Sequence, residues 1–134
     1  MSAALALRAA IRTALVADAT LVALLGGQSV YDDVPRGARP PYIVLAEHAA
    51  RDESTGTETG EEHQVTLHVW SRQGGLKQAL EIAEAATAAL LGASLAPAGH
   101  RLVNFAWLAT ESRREPDGRH RFLTLRFRAV TEPV

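Results

Sequence analysis

The five histidines of this 134-residue chain are its best candidates for chemistry, because imidazole binds metals and exchanges protons near neutral pH. His63 and His68 are five apart in a stretch that reads as a strand, so their side chains leave from opposite faces. His48 can neighbour one of them only across a hairpin, in a register the spacing leaves open. His100 and His120 stand at strand starts, where partly exposed polar residues are common. No HExxH or comparable ligand spacing occurs, so the histidines read as structural or surface residues. Other reactive signatures are missing too. There is no cysteine, hence no thiolate ligand, thiol nucleophile or disulfide. Ser29, Ser54, Ser71, Ser94 and Ser112 lack a nucleophile-elbow context. Gly26-Gly27 follows a helix instead of opening one, which argues against a phosphate loop. The expectation is no catalytic residue, no cofactor, no metal and no enzyme.

Charge is more informative. The segment from Asp52 to Glu62, DESTGTETGEE, carries Asp52, Glu53, Glu58, Glu61 and Glu62 and no Lys or Arg. The stretch after residue 110 carries Arg113, Arg114, Arg119, Arg121, Arg126 and Arg128 against Glu111, Glu115 and Asp117. One reading is two solvated hairpins. The other is a pair of complementary patches suited to head-to-tail contacts, which close into rings when the rotation allows. On that reading the five acids, with Arg113, Arg114, Arg119 and Arg121, are candidate partner-binding residues. The acids lack the spacing of an EF-hand loop, which argues against calcium. A formal net charge of −1 argues against a dedicated nucleic-acid binder, and aromatic platforms look sparse beside the arginines.

The elements that position these residues follow from periodicity. The length suits one domain, residues 1–134. Ser2 can cap a helix over residues 3–17, with Leu7, Ala10, Ile11, Ala14 and Leu15 on one face. Arg8 and Arg12 interrupt it, which excludes a signal-peptide core. No apolar run is long enough to span a membrane, and a cytoplasmic protein is the default expectation. Asp18 caps a shorter helix, residues 19–25, stopped by Gly26-Gly27. Val30-Tyr31-Asp32 reads as a brief strand, and the prolines and glycine of residues 33–41 as a turn-rich connection. Strands are expected over residues 42–50 and 63–71, the second with Val65, Leu67 and Val69 on one face. Between them residues 52–62 hold no large apolar side chain and read as a long mobile loop without core contacts. Gln73-Gly74-Gly75 breaks the strand. A helix over residues 76–91 follows, its stripe being Leu76, Ala79, Leu80, Ala83, Ala86, Thr87 and Leu90. Two more strands, residues 100–113 and 119–131, flank the turn Pro116-Asp117-Gly118. In the first, Val103, Phe105, Trp107 and Ala109 alternate against Leu102, Asn104, Ala106 and Leu108. The fold class is α+β: a mainly antiparallel four-stranded sheet built from two hairpins joined by a helix, with the N-terminal helices packed on it.

The middle of the chain also resembles a known family. Pro41-Tyr42-Ile43-Val44, a polar loop, Val65-Thr66-Leu67-His68-Val69-Trp70-Ser71, then Gly75 before a helix with Ala79, Ile82, Ala83 and Leu90, is similar to the tail-completion proteins of long-tailed phages and gene transfer agents. These are also called tail terminators. The N-terminal helical pair and Val30-Tyr31 to Pro35 fit the same pattern, so the resemblance spans nearly the whole chain. It implies a structural virion protein without cofactor: a homo-oligomeric, typically hexameric ring that caps the tail tube protein, stops elongation and meets the head connector or stopper protein. DNA is implied to pass through the ring without sequence readout. The resemblance also implies assembly in the bacterial cytoplasm and a final place in the virion tail, with no membrane contact. Two other readings stay open: a small α+β enzyme or ligand-binding domain with a pocket between helix and sheet, or a head-side connector or stopper ring.

Overall fold

The computed structural model describes residues 2–72, 75–114 and 121–134, with backbone only at residue 114. The expected strand break at Gln73-Gly74 and turn at Pro116-Asp117-Gly118 lie outside the described residues, as do Glu115, Arg119 and His120. The element order is α1 (Ala3–Ala17), α2 (Ala19–Leu25), β1 (Val30–Tyr31), β2 (Tyr42–Asp52), β3 (Glu61–Trp70), α3 (Lys77–Gly92), β4 (His100–Arg114) and β5 (Arg121–Pro133).

The N-terminal helices start and stop for local reasons. The Ser2 hydroxyl accepts from the Leu5 amide at 3.1 Å, satisfying one of the free donors of the first turn. Asp18 ends α1 and caps α2, its carboxylate accepting from the Leu21 amide at 2.9 Å. Gly26 ends α2 at φ 76°, a left-handed conformation that costs glycine little. α1 buries Ala3, Ala6, Leu7, Ile11 and Leu15.

The sheet has five strands in the order β1-β2-β3-β5-β4 and is mixed, which corrects the expected four-stranded antiparallel sheet. Both expected hairpin pairings are present, β2 with β3 and β4 with β5, and all pairings except β1 with β2 are antiparallel. The added strand is the brief Val30-Tyr31 segment, parallel to β2 through Val30–Ile43 and Tyr31–Val44. The turn-rich connection from residue 32 to 41 is long enough to bring the chain back in the same direction, which a tight hairpin cannot do. β2 and β3 run further toward the acidic loop than their polarity suggested, ending at the pair Asp52–Glu61. Cross-strand backbone bonds hold polar residues in the ladder as readily as apolar ones, so composition understated the strands.

All three helices join one core on one face of the sheet, with α1 against β1 and β2 and α3 against β3, β4 and β5. The sheet contributes Ile43, Leu45, Val65, Leu67, Val69, Leu123, Leu125, Phe127 and Ala129, all buried. Each large apolar side chain so enclosed stabilises the fold by about 1.5–3 kcal/mol before entropy is counted. Among the described residues the opposite sheet face carries no helix.

Two expected stripes shift. In α3 the buried seam is Ala79, Ile82, Ala83, Ala86 and Leu90, while Leu80 is 47% exposed. Leu80 instead begins a neighbouring row that continues through Glu84, Ala88 and Leu91 at helical spacing. In β4 the register breaks between Leu102 and Asn104 and again between Trp107 and Ala109. These β-bulges break the simple alternation: Phe105 and Trp107 lie opposite Ala129 and Phe127, whereas Ala109 lies opposite outward-facing Arg126.

Candidate interaction surfaces

The first cluster sits where β2, β3 and β5 end, on the helix-free face. Glu62 is nearly covered, its side chain 7% exposed. The Arg128 Nε donates to one carboxylate oxygen at 2.7 Å, and an Arg51 guanidinium nitrogen lies 2.8 Å from the other. Hydrogen bonds from Arg128 and then Arg51 hold the Glu62 carboxyl below the usual range. Arg128 also donates to Glu53 at 3.2 Å. The acidic segment and the arginine hairpin therefore meet within one chain at this point.

The remaining acids of the segment have separate fates. Asp52 accepts from the Ser54 hydroxyl at 2.6 Å and the Ser54 amide at 3.2 Å, an Asx turn that opens the loop. Glu53 donates its amide to the Gly60 carbonyl at 2.9 Å, and Thr55 its amide to the Glu58 carbonyl at 2.8 Å. The Glu58 side chain is exposed at the tip. Glu61 lies 3.6 Å from His63.

Of the candidate arginines, Arg113 is exposed, 3.5 Å from Glu111, which also accepts from Arg126 at 3.1 Å. Arg121 is half-buried and lies opposite Arg114 in the ladder. Arg119 lies outside the described residues. The structure thus brings Glu53 and Glu62 to Arg128 and Arg51, and leaves Glu58 and Arg113 displayed.

Sequence reasoning missed two features and named a third, a pocket between helix and sheet, without placing it. An aromatic row crosses the helix-free face: Tyr31 edge-on to Tyr42, Tyr42 to Trp70, and Trp70 stacked on Phe122 at 4.5 Å, with His68 at 4.8 Å from Phe122. Aromatics are therefore not sparse beside Arg113 and Arg126, although they stack on one another. Burial lowers the His68 pKa most, Glu47 opposing and Arg126 and Arg113 adding to it. Burial likewise raises the Tyr42 hydroxyl. The alternation placed Trp70 and Phe122 correctly, but only the register shows that they pair.

The second feature lies on the core face. A bulge between Leu45 and His48 turns His48 to the same side as Val65. Its Nε2 lies 2.8 Å from His63 Nδ1, and His63 Nε2 lies 2.9 Å from the Thr131 hydroxyl. The partners assign the tautomers. Glu61 favours a proton on His63 Nε2, which donates to Thr131; His63 Nδ1 then accepts from His48 Nε2–H. His48 Nδ1 is left a buried lone pair with no partner among the described residues. Burial, then His63 and Arg8, lower the His48 pKa to about 4. Burial also lowers that of His63, Glu61 opposing it. Among the described residues no three His, Asp or Glu side chains converge as a metal site would require.

The third feature is a cleft of about 520 Å³ between α3 and β4, lined by Leu80, Ala83, Glu84, Thr87, Ala88, Trp107 and Thr110. The Trp107 indole donates to the Thr110 hydroxyl at 3.0 Å, which fixes the ring in the wall. Glu84 is its one ionisable lining residue.

Three helices thus cover one face of a five-stranded sheet, and charged and aromatic side chains are displayed on the other. The family model "Tail completion protein gp17" matches residues 9–132, and the chain belongs to that family of phage tail structural proteins. It is also similar to a solved chain in the "Virion of native gene transfer agent (GTA) particle". The two are 36% identical, each is covered to 98%, and the TM-score is 0.90. No curated protein sequence matches the chain. No helix among the described residues is long and apolar enough to cross a membrane.

Proposed function

We propose that this protein is a tail terminator: a homo-oligomeric, hexameric ring that caps the tail tube, stops its elongation and joins it to the head connector or stopper. The observation that carries this reading is the family match, which runs through every element from α1 to β5. The relative in a gene transfer agent virion supports it, because a chain so similar over its whole length serves in an assembled particle. DNA passes through the ring without sequence readout. The reading gives the protein a structural rather than an enzymatic role, as its family of phage tail structural proteins supports; the pocket between helix and sheet is lined mainly by apolar groups, with Glu84 and the hydroxyls of Thr87 and Thr110. Glu58 at the loop tip, with Arg113 and Arg121 at the far end of the sheet, face partners.

Native mass spectrometry of the purified protein, followed by imaging after addition to tail tubes, tests this. The expected result is a hexamer seated on one end of each tube and tubes of fixed length. Tubes that keep growing beside an excess of the protein exclude the terminator role. Binding only to head particles moves the ring to the head side.

A further inference from the structure

The apolar cleft between α3 and β4 has a counterpart at the opposite side of the same chain. In its lining Leu80 is 47% and Trp107 49% exposed, Leu91 one turn past Ala88 on α3 is 50% exposed, and Val103 and Leu108 of the adjoining strand are 55% and 48% exposed. Val103 and Leu108 fall at the two register breaks of β4, the outermost strand on this side. The outer row of α3 is thus Leu80, Glu84, Ala88 and Leu91, beside the wall formed by Trp107.

At the other side α1 covers β1 and β2. It presents an exposed row of Leu5, Ala9 and Arg12 at helical spacing, with Leu5 59% exposed. Arg8 beside this row is committed: it bonds Asp32 and the carbonyls of Leu45 and Ala46. Arg12 donates to the Val30 carbonyl at 3.1 Å, and no carboxylate pairs with it among the described residues. Glu84 likewise meets no cation among the described residues. The two rows match: an apolar groove with one unpaired anion, and an apolar helix edge with one unpaired cation.

We propose that the α3–β4 cleft of one copy receives the α1 edge of a second copy, with Leu5 entering beside Trp107 and Arg12 meeting Glu84. The inference builds on the ring reading and names its lateral contact. Because groove and helix edge lie on different parts of one chain, the contact is head-to-tail, and repeating it must close a ring or extend a fibre. Charge complementarity chooses orientation, while the buried leucine and tryptophan supply the association.

The test uses the absence of native cysteine. L5C and A88C, each alone, should stay uncrosslinked under mild oxidation, and their mixture should give a disulfide dimer. The variant carrying both should give a ladder ending in a closed ring. Charge reversal is the second arm. E84R and R12E should each weaken self-association about tenfold, and the double reversal should restore it to within about threefold. Circular dichroism confirms that each variant is folded. A88C linking to itself, a ladder absent from the doubly substituted chain, unaltered association of E84R, or a wild-type monomer at all concentrations overturns the inference. Rings that still form and cap tubes without these crosslinks overturn it while leaving the terminator reading intact.

Discussion

His48 shows how one side chain ties stability to pH. A proton added at its Nδ1 would be a charge in a covered site with no acceptor among the described residues, near the Arg8 guanidinium. The folded pKa, about 4, is therefore below the unfolded value near 6.5. In that interval the unfolded chain binds more protons than the folded one. The stability contribution is thus complete above the unfolded value, falls as pH drops through it, and levels off below about 4. His63 and His68 shift in the same direction. Glu62, whose pKa is lowered, loses its contribution only at more acid pH, below its ordinary value of 4.5. We expect the melting temperature to fall by on the order of 5 °C from pH 7 to pH 5, a figure discounted because His48 is only half enclosed. His48→Leu should flatten that slope. Thermal melts by circular dichroism decide it, and a melting temperature constant over this range would refute the account.

At the scale of elements, the hairpin of β2 and β3 lets fold stability and the proposed partner contact be tested apart. Its loop is closed by the Glu53–Gly60 backbone bond, and Glu53 already reaches Arg128. Replacing residues 54–59 by Asn-Gly keeps both contacts. Loop-closure entropy changes slowly with length, so stability should shift by less than about 1 kcal/mol. If the protein acts as the proposed terminator through this loop, tail capping should be lost, because Glu58 and the tip are removed. Denaturant melts and tube-length imaging report the two effects separately; intact capping would make the loop a solvated connector, and unfolding would make it part of the core. The helices were legible because Ser2, Asp18 and Gly26 act within one turn of themselves. The inward rows of β3 and β5 were legible because each alternates without interruption. β4 was not, since two bulges reset its period and nothing in residues 102–109 announces them. The bulge before His48 hid the histidine pair in the same way. The candidate site was legible only as composition. That acids and arginines would matter was readable, whereas the inward turn of Glu62 toward Arg128 depends on the β3–β5 register.

The whole molecule places its strands in a different order in space than in the chain. β5 follows β4 but lies between β3 and β4. It pairs with β3 along its length, from Thr131 opposite Glu61 to Phe122 opposite Trp70, and contributes Leu123, Leu125, Phe127 and Ala129 to the core. Translation thus delivers the centre of the sheet after its flanks. Until residues 121–133 have left the ribosome, β3 has a partner on one side only and β4 has none, while α3 has no finished surface to rest on. A bare hairpin with an apolar face is at most marginally stable in water. The native state is therefore reached after synthesis of this strand, and the emerging chain exposes its apolar strands to chaperones and to neighbouring nascent copies. Ribosome-stalled chains ending before residue 121 should be cut by protease as fast as an unfolded polypeptide, and protection should appear abruptly once β5 is clear of the exit tunnel. Gradual protection from β3 onward would mean that the first hairpin and the N-terminal helices hold together unaided. On the proposed ring reading this timing has a use: a chain without β5 has no finished sheet to offer a neighbour, so docking waits until residues 121–133 have emerged and folded.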